Sequence, residues 1–85
     1  MGSRWVALVA EVEWHAGHRG FERPAAVREG QGKLEVTVES VSSVGPAVAG
    51  SPARRVLIVR DSGGRRLRIQ VDTDGRTSVE VEFPG

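Results

Sequence analysis

Arg55-Val56-Leu57-Ile58-Val59-Arg60 leads through a Ser62-Gly63-Gly64 turn into Leu67-Arg68-Ile69-Gln70-Val71 and, past Asp74-Gly75, into Val79-Glu80-Val81-Glu82-Phe83. Successive side chains of an extended chain point to opposite faces, so an apolar residue at every second position marks a strand with one face buried. Short segments of this kind separated by glycine-bearing turns read as consecutive hairpins. A three-residue loop, Asp74-Gly75-Arg76, places Leu67, Ile69 and Val71 on one face with Val79, Val81 and Phe83, Val71 facing Val79 and Ile69 facing Val81. On the other face Gln70 then opposes Glu80 and Arg68 opposes Glu82, so the adjacent strand neutralises part of the arginine charge. The first segment is apolar on both faces (Val56 and Ile58 against Leu57 and Val59), and the pattern leaves open which pair is buried.

The same rhythm continues toward the N-terminus. Leu34, Val36 and Val38 alternate with Glu35, Thr37 and Glu39, and Gly30-Gln31-Gly32 joins them to Ala25–Glu29 as a hairpin. A two-turn helix with Pro24 at its first position is the alternative for 24–30, but a strand also explains the glycine turn. Leu8, Ala10, Val12 and Trp14 continue from Val6 on one face of a first strand, opposite Glu11 and Glu13. Trp5, Ala7 and Val9 lie on its second face, so that end is covered on both sides or pairs with another subunit. His15–Pro24 and Ser40–Pro52 lack either period and read as loops. The expectation is an all-β fold: a single small antiparallel meander of five or six strands, closed into a curved sheet or small barrel. It spans 4–84, and residues 1–3 are an initiator and small polar residues outside it.

Composition sets bounds on function. A chain of 85 residues builds one core, and a thin one, because the ordering entropy nearly cancels the burial it can achieve. With no cysteine, disulfides and thiolate metal sites are excluded, a reducing cytoplasm is the expected compartment, and self-association becomes the available source of extra burial. The net charge of +1 gives no whole-molecule attraction to nucleic acid or membrane. The longest uncharged apolar run, Trp5 to Ala10, is far short of the roughly 20 residues of a membrane span.

Candidate sites follow from local clusters. His15 and His18, with Glu22, could supply two imidazoles and a carboxylate to zinc, yet Gly17 and Gly20 leave them on an irregular loop where solvated histidines are the simpler reading. The serines sit in turns and loops with no strand-to-helix elbow, and the carboxylates project from strand faces, so no enzyme activity and no cofactor are expected. Gly63-Gly64 joins two strands rather than opening a helix, so no phosphate cradle is expected there. Arg54, Arg55, Arg60, Arg65 and Arg66 form the best nucleic-acid candidate, an arginine-rich strand face for phosphates, although aromatic residues for base stacking are few. Self-association is the other candidate, through Trp5, Ala7 and Val9 and through Leu57 and Val59, strands with two apolar faces in a chain too short to cover both.

The order Arg23-Pro24-Ala25-Ala26-Val27, a glycine turn, Leu34-Glu35-Val36, a variable loop, Arg55-Val56-Leu57-Ile58-Val59 and Gly64-Arg65-Arg66-Leu67 resembles that of small uncharacterised bacterial all-β domains, some associated with DNA-repair genes. Val27 and Leu34 stand where that family has aromatic residues. The resemblance implies a β fold and brings no catalytic residues. The functional expectation is a non-catalytic β binding module, acting through a homodimer contact or a protein partner first and nucleic acid second, with metal binding through His15 and His18 a third reading.

Overall fold

The computed structural model describes residues 2–15, 23–44, 54–72 and 75–84. They form seven strands: β1 (Arg4–Leu8), β2 (Glu11–His15), β3 (Arg23–Glu29), β4 (Gly32–Val44), β5 (Arg54–Asp61), β6 (Arg66–Asp72) and β7 (Thr77–Phe83). Every pairing is antiparallel, in the order β1-β7-β6-β5-β4-β3-β2. The all-β meander is as expected, with more strands than expected because Val6–Trp14 divides in two. Its apolar stripe is continuous, since Leu8, Ala10, Val12 and Trp14 all pack on the core. At Val9-Ala10, however, the chain leaves β7 at one end of the sheet and joins β3 at the other.

That switch dictates the shape. Seven strands laid flat would separate β1 from β2 by about 29 Å at roughly 4.8 Å per strand. The link from Leu8 to Glu11 spans at most about 11 Å. The sheet must therefore curl into a half-barrel, and β4 is where it bends. Gly32–Glu35 pairs with β3, Val36–Val44 pairs with β5, and the register slips between Val38 and Ser40. The extra residue of such a bulge bends its strand and raises the local twist. Ser40–Val44 is thus strand, where the sequence suggested loop; 45–53 and 16–22 lie outside the described residues.

Inside the curl, Val27 of β3 meets Leu57 and Val59 of β5, Leu67 and Ile69 of β6, and Val79 and Val81 of β7. Burying each such side chain contributes roughly 1.5–3 kcal/mol. The open face of β5 is now assigned: Leu57 and Val59 are 1% and 0% exposed, while Val56 and Ile58 are half-buried on the outside.

The β6–β7 register differs from the sequence reading by two residues. Ile69 faces Val79, Leu67 faces Val81, and Arg68 faces Glu80. Glycine placement is the cause. A three-residue hairpin loop needs its left-handed residue last, and Gly75, at φ +83°, takes that position only when the loop closes between Asp72 and Arg76. Asp72 fixes the closure: its backbone N–H donates to the Arg76 carbonyl at 3.1 Å, and its Oδ1 accepts the Arg76 backbone N–H at 2.9 Å. The β5–β6 turn is built identically. The Asp61 N–H donates to the Arg65 carbonyl at 2.9 Å, Asp61 Oδ1 accepts the Arg65 N–H at 2.8 Å, and Gly64 has φ +93°. An Asp-x-x-Gly-Arg segment thus occurs twice, at 61–65 and 72–76.

Candidate functional site

The outer face carries the charge. Because β6 alternates, Arg66, Arg68, Gln70 and Asp72 project outward between β5 and β7. Arg68 meets Glu80 through two bonds, Nε to Oε1 at 2.8 Å and Nη2 to Oε2 at 2.9 Å, the bidentate geometry that suits a guanidinium and a carboxylate. Gln70 donates to the same Glu80 at 2.7 Å, and Arg54 donates to Gln70 at 3.1 Å. The Arg68 guanidinium also stacks 4.7 Å above the Trp5 ring, reaching across β7 to β1. Arg66 bridges Glu82 at 3.1 Å and Glu39 at 3.2 Å, and Glu39 accepts from Arg60 at 3.0 Å. The bonds from Arg68 and then Gln70 lower the Glu80 pKa, and those from Arg60 and then Arg66 lower that of Glu39. Arg66 and Arg68 shift upward in turn, through Glu39 and Glu80.

The proposed arginine face is therefore divided. Arg54 and Arg60 lie outside with Arg66 and Arg68, bonded to Gln70, Glu39, Glu80 and Glu82. Arg65 turns the other way, to the end of the half-barrel, where it joins the Asp61 carboxylate at 2.8 Å and Glu29 of β3. The Asp61 side chain there is fully buried. Contact with Glu29 and then Asp61 raises the Arg65 pKa. Arg55 lies on the inner face with Leu57 and Val59, half-buried and without an ion-pair partner among the described residues.

The residues expected to self-associate separate as well. Leu57 and Val59 are core residues and offer no side-chain surface to a partner, a correction to that part of the expectation. Trp5 is half-buried under Arg68, Ala7 is exposed, and Val9 at the corner is 97% exposed. β1 pairs with β7 on one side, and no described strand pairs with its other edge. Val6 and Phe83, 37% and 50% exposed, extend the apolar surface there. β2, at the opposite end of the sheet, is guarded by charge: Glu13 is held by Arg28 and Lys33, and contact with Lys33 above all lowers its pKa.

Of the zinc candidates, His15 is exposed opposite Arg23, while His18 and Glu22 lie outside the described residues. No group of three metal-ligating side chains occurs among the described residues.

A groove of about 1240 Å³, missed by the sequence reading, opens where β3 and β4 part. Pro24, Ala26, Val38, Val41 and Leu57 give it an apolar floor, and charged residues rim it. Its sequence signal was a phase change: Val36 and Val38 are even-numbered and Val41 is odd, as an extra residue at Glu39 demands. No family model, curated protein or solved structure matches the chain, so the resemblance drawn above rests on its residues alone.

Proposed function

We propose that this chain is a non-catalytic β binding module that acts by pairing with a second copy through the edge of β1. The observation that carries the reading is the contrast between the two ends of the sheet. Natural edge strands are blunted by charge, proline or bulges. β2 has Glu11 and Glu13, the latter held by Arg28 and Lys33, whereas Arg4–Leu8 has one charge, at its first residue, and exposes Val6 and Ala7.

The β1 sequence is also self-complementary. An antiparallel pair about a two-fold axis at Val6 sets Val6 against Val6, Trp5 against Ala7 and Arg4 against Leu8 of the second copy. The large Trp5 faces the small Ala7 and no like charges are opposed. The pairing would continue the sheet through both molecules and cover apolar surface that this thin core leaves outside. The outer arginines support a protein partner over nucleic acid, since Glu39, Glu80 and Glu82 already occupy Arg60, Arg66 and Arg68.

With five residues per copy the contact is small beside the roughly 1,600 Å² of a standard interface, so the dimer is weak and in fast exchange. Sedimentation equilibrium from about 10 µM to about 1 mM should show the mass rising toward two chains. Val6→Lys, which charges the edge, should hold the chain as a monomer throughout while its circular dichroism spectrum stays that of the native fold. A native chain that stays monomeric, or a V6K variant that dimerises equally, overturns the proposal.

A further inference from the structure

The groove between β3 and β4 contains a second strand edge, longer than that of β1. β3 and β4 are joined from Glu29↔Gly32 to Ala26↔Glu35, after which β4 turns away to pair with β5. Beyond Glu35 no described strand pairs with the other edge of β4, through to Val44. Val36, Thr37, Val38 and Glu39 all line the groove. Four consecutive residues do so when a strand presents its backbone edge, since a strand presenting one face would contribute alternate residues. The opposite wall is Arg23–Ala26 of β3. Pro24 has no N–H to offer there, so a strand entering the groove finds its backbone partners on β4.

The charges on the rim are uneven. Glu13 is bonded to Arg28 and Lys33, Glu39 to Arg60 and Arg66, and Asp61 to Arg65. Arg23 and Arg55 line the same groove with no ion-pair partner among the described residues, and His15 stands beside Arg23. Both arginines lie toward the open end. Arg23 is three residues beyond Ala26 in the direction β4 runs from Glu35 to Val38, and Arg55 lies farther along, opposite Ser43. Glu35, without an ion-pair partner among the described residues, stands at the other end, where β3 and β4 join. A half-buried arginine beside Val41 and Leu57 without a counter-charge is costly, and a ligand carboxylate would relieve that cost.

We propose that this groove binds an extended acidic peptide, which adds as a strand to the free edge of β4. Its apolar residues, at alternate positions, rest on Val38 and Val41, and its carboxylates engage Arg23 and Arg55. This is strand addition, in which main-chain bonds supply affinity and alternate side chains supply selectivity. Val41, 53% exposed, is a floor residue left for such a ligand to cover. The site is independent of the β1 edge, so a chain made monomeric by V6K retains it.

The probe is a fluorescein-labelled octapeptide of alternating valine and glutamate, titrated with the full chain and read by anisotropy. A valine–lysine octapeptide and a single-stranded oligothymidine serve as comparison ligands. Saturable binding of the valine–glutamate peptide is expected, at least roughly tenfold tighter than that of the valine–lysine peptide. R23Q/R55Q should weaken it roughly tenfold or more, and V41E should abolish it, each with an unchanged circular dichroism spectrum. Equal affinity for the two peptides, undiminished binding by a folded R23Q/R55Q, absence of saturation, or preference for the oligothymidine overturns the proposal.

Discussion

Replacing Asp61 by alanine tests how much of this half-barrel depends on one buried carboxylate, and the twin turn at Asp72 is its internal control. The Asp61 side chain is fully buried and accepts two bonds from Arg65, one from the backbone N–H and one from Nε, both at 2.8 Å. Bonds to a charged group contribute about 1.5–3 kcal/mol each when made. The Arg65 guanidinium keeps Glu29, so D61A does not strand a buried charge, and the lower end of that range applies to each bond. The expected loss is about 3 kcal/mol, a large fraction of the roughly 5–15 kcal/mol that stabilises a folded domain. It corresponds to a fall in Tm of roughly 12–24 °C. Asp72 makes the same bond to a backbone N–H, at 2.9 Å, but in an exposed turn, and D72A should cost only about 0.5–1 kcal/mol. D61N, which keeps the acceptor and loses the charge, should fall between. Urea unfolding followed by circular dichroism gives all three values, with equal m-values as the check on a common two-state transition. If D61A and D72A agree within about 0.5 kcal/mol, burial does not set the strength of this turn and the reasoning fails.

Glycine substitutions separate two neighbours in the same turn. Gly64→Ala, at φ +93°, should destabilise by about 1 kcal/mol. Gly63→Ala, whose Cβ would sit 3.4 Å from Asp61 Oδ1 and 3.6 Å from Leu34 Cδ1, should be near neutral by the same denaturation assay. The lowered pKa of Glu80 implies stability that is fully present above its unfolded value and lost as pH falls through the folded one. Thermal melts should therefore show E80Q losing less Tm than the native chain between about pH 5 and about pH 3. Finally, E39Q/E80Q/E82Q removes three negative charges from a molecule of net charge +1 and frees Arg60, Arg66 and Arg68. The variant should retard single-stranded DNA in a low-salt gel more strongly than the native chain, and an equal shift would contradict the outer-face pairing.

Much of this fold is written in the period of two. The stripes Leu8-Ala10-Val12-Trp14, Leu67-Ile69-Val71 and Val79-Val81 point inward as their spacing demands, because a one-residue slip would expose an entire face. Alternation says which side a residue takes but not which strand lies beside it. Nothing in the rhythm of Val6–Trp14 shows that its two halves pair with opposite ends of the sheet, since a bend keeps the parity. The β6–β7 offset was legible in principle: Gly75 had to close its loop, and the repeated Asp-x-x-Gly-Arg marks where both loops end. The arginine cluster misled because neighbours in sequence alternate across the sheet, sending Arg54 outward and Arg55 inward, while the acids that hold the outer set come from β4 and β7. The groove arises from where two strands part, a property of three-dimensional divergence to which the bulge at Glu39 was the single local clue.

The pairing of β1 with β7 joins the opening residues of the chain to its closing ones, Arg4 with Phe83 and Leu8 with Val79, whereas the other ladders join consecutive strands. Contacts between distant residues form late, because a long loop must first be closed. During synthesis β1 leaves the ribosome well before β7, so Trp5 and Val6 stay unsheltered until β7 emerges. Loss of β7 would thus strip a neighbour from two strands, leaving β1 unpaired among the described strands and turning β6 into an edge.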